Sequence, residues 1–410
     1  MSGRIEITAG FLPLLDSALL VAAAAQGFAE AEGVDLTLVR ETSWAALRDR
    51  LAAGHLQVAH MLAPLAIAGN LGLHPLPAPT VVPMALGLGG NAVTVGEELW
   101  AAMLAHGARP DLDARRNGGA LAAVVAARRE QGLPRLRFAV VHPYSAHNYE
   151  LRYWLAACGV APDADVDVQV VRPPRMAATL AAGEIDGYCV GEPWNTAAVM
   201  RRGGRIATVK AAIWRSSPEK VLAVAADFAS TRPEAVAALL RALYRAAEWC
   251  GQPANHATLA ELLARSDHVG VPADWLLPAL DGRIPLGGGE TADVGDFFIP
   301  FAKAATFPWK SHALWFYSQM VRWGQTSHDA ASAAVAAEIY RPDIYRRVLG
   351  PLGAALPGAN AKVEGALTLA TPVGARGGRL TLGPDGFFDG GIFDPDQLDA
   401  YIARQRAHQR

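Results

Sequence analysis

The sequence predicts an α/β protein in which two lobes enclose a ligand cleft. Short apolar segments of strand length alternate with longer segments of helical spacing, a pattern typical of sheets covered by helices. The pattern starts with the first residues and restarts after Gly118. The chain has 410 residues, which is too long for one ordinary hydrophobic core. Two similar α/β units account for both the repetition and the length.

The first unit has the order strand, helix, strand, helix, strand. Its apolar and β-branched segments predict strands at residues 4–9, 34–39, 58–62 and 80–88. Helical spacing predicts helices at residues 16–32 and 43–53, which end at Gly33 and Gly54. Thr42 or Ser43 is the expected N-cap of the second helix. Because strands and helices alternate, we expect a mostly parallel sheet.

The second unit repeats this alternation. Strands are predicted at residues 137–141, 166–171 and 187–190, and helices at 121–131, 149–157 and 175–182. Further helices are predicted at residues 233–250, 254–266 and 313–323. From residue 361 the chain is rich in Gly and Pro and has few periodic segments, and FDGGIFDPDQLDAYIAR predicts a turn and a terminal helix.

Composition excludes several classes of function. The net charge of −2 provides no basic excess for binding nucleic acid through its phosphates. No apolar run is long enough to span a bilayer. The three cysteines, Cys158, Cys189 and Cys250, are widely spaced, which favours reduced thiols over a disulfide framework or a zinc site. The segment from Gly87 to Ala92 loosely matches a dinucleotide motif, but a β-like run follows it instead of a helix. We therefore expect no cofactor and no metal.

Side chains able to bind an anion occur at the ends of predicted elements. Trp44 lies at the start of a helix, where free N–H groups and a partial positive charge suit anions. Asn91 follows a glycine-rich segment, and its amide offers two N–H donors. His147 precedes a predicted helix, and Lys220 follows a Ser-Ser-Pro segment. On composition alone, each of these residues also has an ordinary structural explanation, as a packing, hinge or surface residue.

Two longer motifs add specificity to this pattern. The first, HPYSAHNYELRYWLAACG, surrounds His147, and the second, YCVGEPWN, follows a short strand. In the second motif, Val190 and Gly191 offer backbone N–H groups, and the glycine lets a ligand approach the main chain closely. Glu192 is expected to orient the loop, because its charge would repel an anion.

These motifs resemble those of the nitrate-binding proteins of ABC transporters and their soluble nitrate/nitrite sensor relatives. The resemblance extends from Phe11 to about Arg404 and also includes FPWKSHALWFYSQMVRWG, for which we expect a packing role. It implies the type II periplasmic-binding-protein fold. Lobe one would hold residues 1–97 and 218–410, including a C-terminal extension, and lobe two would hold residues 98–217.

The resemblance also implies a set of ligand-binding residues: Trp44, Asn91, His147, Val190, Gly191 and Lys220. Asn91 stands where the relatives have a glutamine, so its reach is shorter by one methylene group. Lys220 matches the lysine that supplies the positive charge in nitrate-binding relatives. Bicarbonate-binding relatives instead use a carboxylate and a bound cation at this segment, so Lys220 favours nitrate or nitrite.

Three functions fit the sequence. The main hypothesis is a cytoplasmic nitrate/nitrite sensor that controls an RNA-binding antiterminator of the two-domain response-regulator type, without itself contacting nucleic acid or membrane. It depends on the first predicted strand starting near the first residue, which leaves no room for a leader. The alternative is the periplasmic nitrate-binding component of an ABC importer with a trimmed leader. The third is an enzyme resembling a thiamine pyrimidine-precursor synthase, but the Cys-rich motif of that family is missing, so we expect no enzyme.

Overall fold

A computed structural model describes residues 4–407. The first part of the chain alternates strands and helices as predicted. Its elements are β1 (Ile5–Phe11), α1 (Ala18–Ala25), α2 (Phe28–Ala31), β2 (Val34–Arg40), α3 (Trp44–Ala52), β3 (Val58–Leu62), α4 (Ala63–Asn70), β4 (Thr80–Ala85) and β5 (Leu88–Gly89). The predicted helix at residues 16–32 is divided in two, because Gly27 adopts a left-handed φ of 78° between α1 and α2.

The middle of the chain forms a second α/β unit. Its elements are β6 (Asn91–Val95), α5 (Glu97–Ala105), α6 (Ala114–Glu130), β7 (Leu136–Val140), α7 (Ala146–Ala157), β8 (Val166–Val170), α8 (Met176–Ala181), β9 (Gly187–Gly191), α9 (Trp194–Met200), β10 (Arg205–Val209) and α10 (Lys210–Ile213). Helix α6 begins earlier than predicted, because the Asp113 side chain caps it by accepting from the Arg116 N–H.

The remainder is mainly helical, with short strand pairs and a terminal helix. Its elements are β11 (Lys220–Ala225), α11 (Ala226–Thr231), α12 (Pro233–Cys250), α13 (His256–Ala264), α14 (Ala273–Asp281), β12 (Arg283–Gly287), β13 (Glu290–Asp293), β14 (Phe298–Ile299), α15 (Lys310–Arg322), α16 (Ala330–Glu338), α17 (Pro342–Leu349), β15 (Leu356–Pro357), β16 (Thr371–Val373), β17 (Ala375–Arg376), β18 (Leu380–Leu382) and α18 (Leu398–Ala407). The predicted terminal helix is confirmed as α18.

Two five-stranded sheets form the centres of the two units. The strand order is β2-β1-β3-β11-β4 in the first sheet and β10-β6-β9-β7-β8 in the second. Strands β1, β2 and β3 are parallel, whereas β11 is antiparallel to both β3 and β4. In the second sheet, β6 is antiparallel to β9 and β10. Both sheets are therefore mixed, not mostly parallel as expected. Strand β6 follows the first unit in the chain but joins the second sheet, and β11 follows the second unit but joins the first sheet. Each of these two strands runs antiparallel to its neighbours.

The sheet pairing bears on where the lobes divide. Strand β6 pairs with β9 over its whole length and belongs to the second sheet. The pairing consequently supports a passage of the chain from lobe one to lobe two between β5 and β6, and not at residue 97. The return crossing lies between α10 and β11, close to the proposed residue 218. The division into lobes remains a proposal on this basis.

Close packing between α6 and α7 explains a glycine inside a helix. A Cβ atom at Gly118 would lie within van der Waals overlap of the Cys158 Sγ and the Trp154 indole nitrogen. The Trp154 indole N–H donates to the Ala114 carbonyl across the same contact, at 2.7 Å. Glycine is thus needed here for the approach of two helices, despite its low helix propensity.

The aromatic residues of α15 contact both lobes. The rings of Tyr149 and Phe316 lie 6.4 Å apart, and those of Tyr153 and Trp315 lie 6.2 Å apart, between centroids. Phe387 of the C-terminal extension stacks on Trp214 at 4.5 Å. The extension was expected to pack on lobe one, and it also joins the second unit.

Among the described residues, no helix has the length and apolarity that a membrane span requires.

Candidate functional site

The first lobe contributes three side chains at one edge of its sheet. Asp16 follows β1, His60 lies within β3, and Trp44 is the first residue of α3. The Ser43 side chain caps α3 by accepting from the Ala46 N–H, which confirms one of the two predicted caps. His60 Nε2 lies 2.8 Å from Asp16 Oδ1, and the Trp44 and His60 rings are 5.6 Å apart. All three side chains are buried.

Lys220 lies at the centre of this group. It is the first residue of β11, so a strand follows the Ser-Ser-Pro segment. Its ammonium donates to Asp16 Oδ2 at 2.8 Å and to Glu219, and its Nζ lies 5.5 Å from the centre of the Trp44 ring. The positive charge that was predicted to bind an anion is therefore already paired with two carboxylates.

A second buried lysine extends the ion pairs into the other lobe. Lys210, at the start of α10, donates to Glu219 Oε2 at 2.7 Å and pairs with Glu150 Oε1 at 2.5 Å. Its side chain is fully buried. Glu219 thus pairs with both lysines, whereas Glu150 of α7 pairs with Lys210 and not with Lys220. The result is a continuous buried network, defined here as Asp16, Glu150, Lys210, Glu219 and Lys220.

Asn91 joins this network from β6. Its amide nitrogen donates to Glu219 Oε2 at 2.8 Å and to Glu150 Oε2 at 3.1 Å. Both amide N–H groups are consequently occupied by carboxylates, and the Oδ1 atom has no hydrogen-bond partner. The expected role of Asn91 as a donor to an anion would require these bonds to rearrange.

His147 lies inside α7, not before it as predicted. Helix α7 begins at Ala146, because the Ser145 side chain accepts from the Asn148 N–H and caps it. His147 is completely buried, and neither ring nitrogen has a hydrogen-bond partner. Its Nε2 atom lies 3.6 Å from Glu219 Oε1. A buried ring with unused nitrogen atoms can bind a ligand.

The YCVGEPWN motif forms the end of β9 and the turn after it. Gly191 lies opposite Asn91 in the sheet, and Val190 lies opposite Ala92. A Cβ atom on Gly191 would lie 3.3 Å from Asn91 Oδ1 and 3.7 Å from His147 Nε2. Gly191 therefore borders the same small space as Asn91 and His147. The Val190 carbonyl accepts from the Asn195 amide at 2.8 Å.

The turn after β9 also joins the two lobes. The Trp194 indole N–H donates to the Pro13 carbonyl at 3.0 Å, and the Leu15 N–H donates to the Glu192 carbonyl at 2.8 Å. The Glu192 side chain accepts from the Thr196 N–H, which agrees with the predicted loop-orienting role. These contacts hold the lobes closed over the buried network.

The electrostatics of the site follow from burial and pairing. Burial alone would raise the pKa of Asp16, but Lys220 and His60 outweigh it and lower the pKa to about 2. Burial would likewise raise the pKa of Glu219, and the two lysines hold it well below its usual range. Glu150 is different, because burial dominates and raises its pKa to about 7. Burial lowers the pKa of His147 to about 3, which keeps its ring neutral.

Comparisons with known proteins agree with this architecture. The model of the NMT1-like family matches residues 3–264, well over half of the chain. The chain belongs to the NMT1-like family. The chain is 31% identical over 407 residues to the nitrate/nitrite binding protein NrtA of Synechococcus elongatus, covering 97% of this chain and 85% of that protein.

Two further matches extend the comparison. The chain is 30% identical to the nitrate import ATP-binding protein NrtC of Synechocystis, and it spans 56% of that protein's length. The crystal structure of the periplasmic nitrate-binding protein NrtA from Synechocystis PCC 6803 superposes with a TM-score of 0.85 at 26% identity, covering 98% of both chains. The resemblance to nitrate-binding proteins and the predicted two-lobed periplasmic-binding-protein fold are thus confirmed.

The predicted cytoplasmic location is wrong. NrtA from Synechocystis PCC 6803, which has nearly the same fold over its whole length, is a periplasmic protein. The prediction depended on the residues at the start of the chain. Because a secretory leader is removed from the mature protein, those residues do not report the compartment.

The structure brings five of the six predicted site residues into one region, and the sixth, Val190, precedes Gly191 in β9. Lys220 and Trp44 meet on the side of the first sheet, and Asn91, His147 and Gly191 meet on the side of the second. Glu219 contacts both groups. Their roles as ligand contacts remain a proposal.

Sequence reasoning missed three of the five residues of the charged network, Asp16, Glu150 and Lys210, and the neighbouring His60. It assigned no role to Glu219. Asp16 had a usable signal, because it follows a strand at the edge where ligands bind in open sheets. Glu150 lies three residues after His147 and shares its helix face. Lys210 gave no signal, because nothing near it in the sequence suggests a site.

Proposed function

We propose that this protein binds nitrate or nitrite in the cleft between its lobes, as the substrate-binding component of an ABC importer. The observation that carries the proposal is a set of buried ring nitrogen atoms without hydrogen-bond partners in the cleft. The Trp44 indole nitrogen and both His147 ring nitrogens are buried and have no hydrogen-bond partner. Buried polar groups are normally paired, so unpaired ones at a cleft support a polar ligand.

The chemistry of the site suits a small planar anion. Nitrate has only acceptor oxygens and one negative charge, so it requires N–H donors and one cationic group. The Trp44 indole, the His147 ring and the Lys220 ammonium meet this requirement. Two of the three N–H groups of the ammonium donate to Asp16 and Glu219, which leaves one for the anion. The similarity to NrtA over nearly the whole chain adds support for nitrate and nitrite.

An importer is favoured over the sensor hypothesis. The sensor and its antiterminator partner depended on a cytoplasmic location, and that location is contradicted by the periplasmic relative. The relatives compared above include an import ATP-binding protein and no regulator. No feature of the described residues favours an RNA-binding partner.

Calorimetric titration of the ligand-free protein tests the proposed ligand. We expect saturable one-to-one binding of nitrate or nitrite, and much weaker binding of bicarbonate without added cation, because Lys220 stands in place of a carboxylate. Sulfate serves as a control for general anion binding. Preferential binding of bicarbonate, or no binding of either nitrogen oxyanion, would refute the proposal.

Replacing Gly191 by alanine is expected to weaken anion binding at least tenfold, or about 1.4 kcal/mol. The new methyl group would occupy the space bordered by Asn91 Oδ1 and His147 Nε2. The unfolding free energy should change by less than about 1 kcal/mol, since the backbone here is extended and alanine restricts the unfolded chain. Titration and chemical denaturation measure the two effects.

The matched control for this change is Gly119→Ala. Gly119 lies in α6, and a Cβ atom there meets nothing within 4 Å. Anion affinity should stay at the wild-type value in this variant. Wild-type affinity in Gly191→Ala would show that Gly191 does not border the ligand.

A further inference from the structure

The buried network carries an excess of negative charge. It contains three carboxylates, Asp16, Glu150 and Glu219, and two ammonium groups, Lys210 and Lys220. With every group of the network ionised, the sum is −1. A monovalent anion that enters next to Lys220 would bring it to −2 inside a closed cleft. Adding negative charge to a buried and already negative site is unfavourable, because water cannot solvate it.

One carboxylate of the network has less support than the other two. Asp16 pairs with Lys220 and His60, and Glu219 pairs with both lysines. Glu150 has only Lys210, which it shares with Glu219, and the Asn91 amide, which it also shares. A proton added to the network is therefore held most easily by Glu150.

The groups that face Glu150 from the surrounding elements agree with this assignment. Lys210 of α10 lowers the pKa of Glu150, while Glu219, next to β11, raises it, and burial outweighs both, so that the pKa is about 7. The Cys189 thiol of β9 is neutral, because burial raises its pKa well above the usual value. His147, on the same helix as Glu150, is kept neutral by burial. Lys220 and Asp16 lie beyond Glu219 and pair with each other.

We propose that the site binds a monovalent anion together with one proton, and that Glu150 holds this proton. The inference rests on the proposed function and names a second species that the site takes up. With Glu150 neutral, two carboxylates balance two ammonium groups, so the network has no net charge before the anion arrives. The anion then takes the place of the negative charge that Glu150 loses on protonation, so the total charge of the site does not become more negative. The proton comes from solvent and returns to it when the anion leaves.

Proton uptake is measurable without any mutation. Nitrate is titrated into the wild-type protein in pairs of buffers that differ in ionisation enthalpy, at about pH 6 and about pH 8.5. Near pH 6 Glu150 is already protonated in the free protein, so uptake should be close to zero. Near pH 8.5 uptake should approach one proton for each nitrate. The affinity should then fall about tenfold for each unit of pH above 7, as linkage of one proton requires.

Two variants identify the residue that holds the proton. Glu150→Gln mimics the protonated form, so its proton uptake at pH 8.5 should fall to near zero and its affinity should become nearly independent of pH. Glu192→Gln is the matched control, because burial raises the pKa of Glu192 to about 7 as well, but Glu192 forms no ion pair with either lysine. Proton uptake in Glu192→Gln should stay near one.

The possible outcomes separate this inference from the proposed function. Nitrate binding with no proton uptake at either pH would overturn the inference and leave the proposed function standing. Proton uptake that persists in Glu150→Gln, or disappears in Glu192→Gln, would overturn the assignment to Glu150. Failure of nitrate and nitrite to bind at any pH would refute the proposed function itself, and the inference with it.

Discussion

Replacing Lys220 by alanine is expected to weaken nitrate binding about ten- to a hundred-fold, more than an alanine at any other position of the site. A hydrogen bond between an ammonium group and an anion contributes about 1.5–3 kcal/mol, and each 1.4 kcal/mol is about tenfold in affinity. Lys220→Glu should weaken binding further, through repulsion. Calorimetric titration with nitrate at fixed pH measures both effects.

The same change should also destabilise the protein. Asp16 and Glu219 would be left as buried carboxylates without their shared cation. Removing one partner of a buried ion pair typically costs about 3–5 kcal/mol. Loss of binding in Lys220→Ala alone would therefore not separate a binding role from a folding role.

A double variant makes this separation. Lys220→Met combined with Asp16→Asn removes one positive and one negative charge, so the network keeps the same net charge as in the wild type. Denaturation should show that part of the lost stability returns, while nitrate affinity remains low. If the double variant, or Lys220→Ala in a folded state, binds nitrate as tightly as the wild type, Lys220 does not supply the cationic group.

The second large effect concerns acid stability. As pH falls from about 6.5 to about 4, the ligand-free wild-type protein should lose stability relative to His147→Gln. Burial lowers the pKa of His147 to about 3, far below its value of 6.5 in the unfolded chain. The unfolded chain therefore binds a proton at this residue that the folded protein cannot accept. The contribution of His147 to stability is complete above pH 6.5 and declines as pH falls toward the folded pKa.

The size of this effect follows from the same shift. Each unit of pH within the window changes the unfolding free energy by about 1.4 kcal/mol for one such group, so the change between pH 6.5 and 4 is about 3 kcal/mol. His142, whose pKa is lowered by burial to about 4, contributes in the same direction, and Glu150 and Glu192, whose pKa values burial raises to about 7, contribute in the opposite direction. These contributions are present in both proteins, so the difference between the two curves reports His147. Urea denaturation of the wild type and His147→Gln at several pH values measures the difference in slope.

His106→Gln is the control for the acid-stability experiment. His106 is an exposed residue at the end of α5, and its replacement should leave the pH dependence of the wild type unchanged. Parallel curves for the wild type and His147→Gln would contradict the prediction. They would mean that the buried His147 ring accepts a proton in the folded state at ordinary pH.

Local pattern was sufficient for the alternation of strands and helices in both units and for part of the site. Alternating apolar segments predicted both α/β units, and Ser43 at the start of α3 was predicted from its capping chemistry. Residues at the ends of predicted elements, such as Trp44 and Gly191, were placed near the cleft for the same reason. Helix and strand formation depends mainly on neighbouring residues, so it can be inferred from the chain.

The charge state of the site was decided by the tertiary structure. Lys220 was predicted to offer a free positive charge, but Asp16, which is 204 residues away in the chain, pairs with it. Glu150 and Lys210 meet because α7 and α10 contact each other within the second unit. The order of strands and the packing of helices determine these pairs, and burial then sets which groups hold protons. Neither property is encoded in the spacing of residues along the sequence.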